Sequence, residues 1–257
     1  MTITAETDTD RPLPITGVRP SQVAPNVLVV GDPARVADAA RLLDGARQVA
    51  ASREYVTVTG SLDGTPVSVC SHGVGSAGAA ICFEELARAG VRRIVRAGTC
   101  GALQPGIAEG ALIVATGAVR DEGTTPRLVP LAYPAIAAGE VVGALERAAS
   151  GDGLSVHRGV VLTTDTFYPS KAMGPAWRIW HEAGVLAIEM ELAALLVVSA
   201  LHGIDAGGVL TVDGNLLVSS ADMDDYDPDR DVVTKGKATM LRVALRALTE
   251  LGRNDRP

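Results

Sequence analysis

Apolar residues in this chain fall into short runs separated by stretches of helical periodicity. Residues 27–30 (VLVV) read as a fully buried strand. Asp32-Pro33 ahead of ARVADAARLL reads as a capped helix start with proline in its first turn. Residues 56–71 alternate and turn at Asp63-Gly64, a hairpin signal. The pattern then predicts a helix near 77–89, strands over 92–99 and 110–119, and a helix within 140–150. A strand over 159–166, a short apolar segment at 185–188, a helix over 190–200, a strand over 206–213 and a closing helix over 234–251 complete the series.

Strands alternating with amphipathic helices predict an α/β fold whose mixed sheet is covered on both faces. A chain of 257 residues with 47% hydrophobic content can bury one large core, so a single domain is expected over 15–252. The preceding segment 1–14 is acidic and Thr-rich, has no apolar core of a signal peptide, and is expected to be disordered. Apolar runs such as 192–201 fall far short of the roughly 18–20 residues that span a bilayer, so a soluble, cytoplasmic protein is expected. The acidic stretch 220–231 is expected to be a mobile loop, a candidate lid before the last helix.

The formal charge of −7 and a pI near 5.1, with no Lys/Arg run, argue against nucleic-acid and anionic-membrane partners. Any bound anion must therefore be held locally. Cys70, Cys82 and Cys100 lack CxxC spacing and nearby histidines, and read as buried reduced thiols rather than a metal or disulfide framework.

One local motif suggests a dinucleotide: Gly73-x-Gly75-x-x-Gly78, after an apolar run and before a helical one. The fingerprint also needs a carboxylate about 20 residues on, for the ribose hydroxyls. That point is the strand end RRIVRAGT, which carries Arg96, Gly98 and Thr99 and no acid. NAD is therefore not expected.

Two other turns compete as anion sites. VVGDPAR (29–35) places Gly31 and Arg35 at a helix start, where free N–H groups and a guanidinium can meet an oxyanion. A cap at Asp32 and a surface arginine would explain the same residues. VRAGTCG (95–101) puts Arg96 and Thr99 at an apolar strand end, where ligands bind in open α/β sheets and an unpaired arginine is costly. An internal salt bridge is the alternative there. In AIEMELAA (187–194), Glu189 and Glu191 share a site only if Glu189 precedes the helix, because residues two apart on a helix diverge. They read either as carboxylates on the helix dipole or as acceptors for a sugar diol, with Met190 packing on the ring.

Taken together, VVGDPAR, ASREYVTV, IVRAGTCGALQPG, TTDTFYP and IEMELAALL resemble, in order and spacing, the nucleoside phosphorylase-I family, most closely its uridine phosphorylase branch. The resemblance implies a single α/β domain with a central mixed sheet forming a distorted barrel flanked by helices, and a hexamer built from dimers. It also implies reversible phosphorolysis of a ribonucleoside to free base and ribose 1-phosphate, with inorganic phosphate as co-substrate and no cofactor or catalytic metal. Position by position, Gly31, Arg35, Arg96 and Thr99 match phosphate ligands, and Arg53 matches an arginine that enters the neighbouring subunit's phosphate site. Glu191 matches the carboxylate on the ribose 2′- and 3′-hydroxyls, beside Met190 and Glu189. Phe167 matches the aromatic on the base. Such residues suit the chemistry, since a phosphate dianion held by arginines stabilises oxocarbenium character and supplies the nucleophile.

Three departures bear on substrate. The glutamine and arginine that read uracil fall at Lys171 and Met173, so the base pocket is altered, and a purine or modified nucleoside is the alternative. The histidine for the ribose 5′-hydroxyl falls at about Leu13. The aspartate by which the purine branch protonates N7 corresponds to Gly214, with Asp213 one residue earlier. In a strand that shift turns the side chain to the opposite face, and Asp-Gly is also a common turn pair, so a catalytic acid and a turn residue are both open. Some members hold a potassium ion with the glutamate matching Glu54; the serine they use falls at Gly78, which argues against the ion here.

Overall fold

A computed structural model of the chain describes residues 10–168, 170–218 and 226–255. Of the expected amino-terminal segment 1–14, residues 1–9 lie outside the described residues, as do 220–225 of the expected acidic loop. Asp10 is held to the domain, its carboxylate accepting from the Ser21 amide (2.8 Å) and hydroxyl (2.7 Å).

Ten strands form one sheet among the described residues. Strand β1 (Asn26–Val30) leads into helix α1 (Pro33–Ala40). Strands β2 (Asp44–Ser52), β3 (Tyr55–Leu62) and β4 (Thr65–Ser71) then lead into helix α2 (Ser76–Arg88). Next come β5 (Arg93–Ala102), β6 (Leu112–Asp121), β7 (Ala135–Ile136), α3 (Gly139–Gly151), β8 (His157–Thr164) and α4 (Trp177–Glu182). The chain closes with β9 (Ala187–Glu189), α5 (Leu192–Leu201), β10 (Asp205–Asn215) and α6 (Asp231–Asn254).

Five of these strands close on themselves. β5 pairs with β10, β10 with β6, β6 with β8, β8 with β9, and β9 returns to β5. The ring mixes parallel and antiparallel pairs, and β1, β4, β3 and β2 extend it as an open sheet from β5. The distorted barrel implied by the resemblance is therefore present. On one edge β5 pairs with β1 through residues 93–97 and with β9 only at residues 101–102. The sheet splits between them, at residues 98–100. A split of this kind leaves backbone edges and strand ends facing a cleft rather than a neighbour.

Local chemistry explains most elements. Asp32 is the N-cap of α1, its Oδ1 accepting from the Ala34 amide at 2.8 Å with Pro33 in the first turn. An Asp32→Ala variant is expected to lose about 1 kcal/mol, lowering the thermal midpoint by roughly 2–4 °C for a chain of this size, measurable by calorimetry. Asp63 and Gly64 both adopt positive φ (48° and 74°), as a two-residue hairpin turn requires. Helix α5 is apolar around most of its circumference and its first eight residues are buried, which marks it as a central helix. α6 is amphipathic and lays Val233, Met240, Leu241, Leu245 and Leu248 on the sheet. All three cysteines are buried free thiols. No helix of the described residues is long and apolar enough to cross a membrane.

Candidate active site

The split in β5 opens into a cleft of about 1510 Å³. Its walls include Gly31 and Arg35 after β1, Arg96 and Thr99 on β5, Glu189, Met190 and Glu191 at the β9–α5 junction, Phe167 and Met173 after β8, and Asp213 on β10. The topology thus gathers all but two of the residues singled out in the sequence. Lys171 is exposed and does not line the cleft. Arg53 is exposed on the β2–β3 turn with φ 54° and is likewise absent from this chain's cleft wall.

Arg96 is the electrostatic centre. Its guanidinium is almost fully buried and pairs through Nη2 with Glu191 and, at 3.2 Å, with Glu189. Nε and Nη1 have no hydrogen-bond partner among the described residues, leaving two buried donors open. Burial works against the charge, but the two carboxylates overcome it and raise the pKa further. Gly98 makes room for this group: an added Cβ would lie 1.6 Å from Arg96 Nη1.

Arg35 faces the same cleft and forms no hydrogen bond or ion pair with a described side chain. Burial, then repulsion from Arg96, lowers its pKa, with Asp32 and Asp213 opposing. Two guanidiniums that repel each other beside an open cleft, one with unpaired donors, form a local anion site in an otherwise acidic protein.

Glu189 and Glu191 take different tasks, as their two-residue spacing requires. Glu189 ends β9, and its carboxylate accepts from the Glu191 amide (2.9 Å), the Leu192 amide (2.9 Å) and the Thr163 hydroxyl (2.5 Å). It therefore satisfies the orphan N–H groups at the start of α5. The predicted helix start at Met190 moves to Leu192, because Glu191 is the N-cap with non-helical backbone. Glu191 turns into the cleft. Burial opposes its ionisation, yet Arg96 holds its carboxyl below the ordinary range.

The glycine turn that resembled a cofactor motif binds this carboxylate. Gly73 and Gly75 have positive φ (74° and 89°), and the Gly75 amide at the start of α2 donates to Glu191 Oε1 at 2.7 Å. Ser76 Oγ donates to the Met190 carbonyl at 2.8 Å. The anion at this helix N-terminus is the chain's own glutamate. Glu54 crowds the same turn: a Cβ on Gly73 would lie 2.8 Å from Glu54 Cγ.

Asp213 is 5% exposed and lines the cleft. The β10–β5 register shifts between Val212 and Gly214, so Asp213 occupies a β-bulge. A bulge re-aims a side chain, which removes the alternation argument against Asp213. Burial pushes its pKa up, while Tyr226, Thr99 and Arg35 act against that rise.

Sequence reasoning missed two residues. Tyr226, inside the acidic stretch, lines the cleft and donates to Asp213 Oδ2 at 2.9 Å. An aromatic among aspartates was the sole signal. His72 is fully buried beneath the glycine turn, with Nδ1 2.9 Å from the Gly73 carbonyl. Burial, then Arg96, lowers its pKa to about 4, so the imidazole is neutral at physiological pH. Nothing in its sequence context separated it from an ordinary core histidine.

A closed five-stranded barrel with two arginines and a buried carboxylate pair at its split edge offers a cleft suited to an anion and a hydroxyl-bearing partner. Comparison with known proteins identifies the class. Residues 25–249 match the phosphorylase superfamily. A guanosine phosphorylase from Halorubrum lacusprofundi is 38% identical over 227 residues, 87% of this chain and 92% of that protein. A uridine phosphorylase from Treponema pallidum is 35% identical over 250 residues, 94% and 95% of the two chains. The crystal structure of a purine nucleoside phosphorylase from Toxoplasma gondii with immucillin-H superposes with a TM-score of 0.89 at 33% identity, covering 95% of this chain and 98% of that one. The chain belongs to the nucleoside phosphorylase-I family, and is a nucleoside phosphorylase, a pentosyltransferase.

Proposed function

We propose that this enzyme catalyses phosphorolysis of purine ribonucleosides, with Asp213 as the acid that protonates the leaving base. The observation that carries this reading is Asp213 itself, a buried carboxyl in a β-bulge on the cleft wall, with its pKa raised by burial. A carboxyl whose burial favours the protonated form can donate to N7 of a purine, an atom a pyrimidine lacks. The positions that would read uracil give no matching contact: Lys171 is outside the cleft wall and Met173 is 85% exposed. Relatives named for guanosine and purine nucleosides and relatives named for uridine match at similar identity, so the choice rests on Asp213.

The remaining roles follow from position. Phosphate sits at Gly31, Arg35, Arg96 and Thr99, with the open Nε and Nη1 of Arg96 as donors. Glu191 accepts the ribose hydroxyls beside Met190, and Phe167 packs on the base. The C1′–N9 bond breaks with its electron pair leaving on the purine, while N7 takes the Asp213 proton. A phosphate oxygen then bonds C1′ to give ribose 1-phosphate. Positive charge developing on the sugar lies between the phosphate dianion and Glu191. Arg53, exposed and outside its own chain's cleft wall, serves the phosphate site of a neighbouring copy in a dimer-based assembly.

Phosphate-dependent base release measured over guanosine, inosine, adenosine, uridine and thymidine tests this. Guanosine or inosine should exceed uridine in kcat/KM by at least about tenfold. A preference for uridine would overturn the proposal.

A further inference from the structure

Tyr226 holds none of the phosphate, ribose, base or acid roles proposed above, yet it touches two residues that do. Its hydroxyl donates to Asp213 Oδ2 at 2.9 Å. Its ring meets Phe167 edge-on, with centroids 5.7 Å apart and planes at 68°. It is the one described residue seen to link the aromatic at the base position to the carboxyl at the base edge.

We infer that Tyr226 is a positioning residue for the acid, holding one oxygen of Asp213 so that the other faces the leaving base. This rests on the reading of Asp213 as the proton donor. A carboxyl has two oxygens and free rotation about its terminal bond, and a bulge residue lacks a ladder to fix its side chain. A phenol fixed at Oδ2 leaves Oδ1 to carry the proton. As that proton departs, negative charge develops on Asp213, and a hydroxyl already donating to it strengthens its hydrogen bond. The phenol therefore assists most at the moment of transfer. Thr99 on β5 and Arg35 at the start of α1 favour the ionised form of the same carboxyl, and the Cys100 thiol lies near it on β5. Tyr226 itself faces Asp213, Arg35 and Asp229, and burial followed by Asp213 keeps its phenol protonated throughout the working range. The ring contact with Phe167 couples this hydrogen bond to the base position.

Tyr226→Phe tests the inference, because it removes only the hydroxyl and keeps the ring. With guanosine, kcat should fall roughly 10- to 100-fold, the loss expected of a hydrogen bond to a charged group, while KM changes little. The phenol favours the ionised carboxyl, so without it the Asp213 pKa rises and the high-pH limb of kcat moves to higher pH. 7-Methylguanosine, whose N7 is already alkylated and cationic, should show a much smaller loss. In an Asp213→Asn background the Tyr226→Phe change should add little further, since its effect passes through the carboxyl. Equal losses on guanosine and 7-methylguanosine, or an unmoved pH limb, would overturn the inference and leave the Asp213 reading intact. Unchanged guanosine phosphorolysis in Asp213→Asn alone would overturn both.

Discussion

Replacing Arg96 by alanine should remove phosphorolysis, with kcat/KM falling by about 10³ or more, since the anion loses its most buried donor. Arg96 has two buried donors without a partner among the described residues, Nε and Nη1, and two carboxylates paired with Nη2. The variant should also be less stable. Deleting one partner of a buried ion pair leaves uncompensated charge, at a cost of about 3–5 kcal/mol, or a fall of roughly 10 °C in thermal midpoint for a chain of this length. Arg96→Lys separates the two effects. An ammonium keeps the charge between Glu189 and Glu191 but cannot offer the guanidinium fork, so stability should largely return while activity stays about 10²-fold down. Steady-state kinetics and thermal unfolding on both variants decide the matter; near-normal turnover in Arg96→Ala would show that phosphate is bound elsewhere.

Asp213→Asn carries the second large expectation. General-acid groups contribute typically 10²–10⁴-fold, and kcat with guanosine or inosine should drop by about 10². The pH dependence has a definite sign. The active form is the protonated carboxyl, and burial raises its pKa above the ordinary aspartate range. Activity should persist above the pH at which a free aspartate has ionised, and fall as pH rises through the shifted value. In Asp213→Asn that falling limb should disappear, because an amide has no proton to lose. His72 contributes no such limb near neutrality, its pKa lying at about 4. A wild-type profile without the limb would count against Asp213.

Much of the fold was legible in the pattern. The 27–30 run became β1, the Asp63-Gly64 hairpin formed as read, and the helices at 77–89, 140–150 and 234–251 appeared within a few residues. Strand β2 and helix α4 were not foreseen. β2 lies at the sheet edge with its first five residues exposed, so no apolar alternation marks it. α4 has no buried residues and only six in all, too short for a 3.6-residue period to register.

The candidate site divides the same way. Gly31, Arg35, Arg96 and Glu191 could be picked out because glycine turns, an arginine in an apolar strand end and paired glutamates each have a local physical cost that asks for an explanation. Their convergence could not be read, since it depends on β5 exchanging β1 for β9 along one edge. Asp213 shows the limit most clearly. Alternation in a regular strand aims it away from the cleft, and only the β10–β5 bulge aims it inward.

Sequence by itself determined the α/β class, most elements and the family, and singled out the residues proposed to hold an anion and a sugar. These are properties of local pattern and side-chain chemistry, which survive without knowledge of neighbours. Tertiary structure decided that Glu189 caps a helix while Glu191 faces the cleft, that the glycine turn binds a carboxylate of its own chain, and that Tyr226 meets Asp213. Each of those depends on contacts between distant segments, and on burial that changes what a charged group can do.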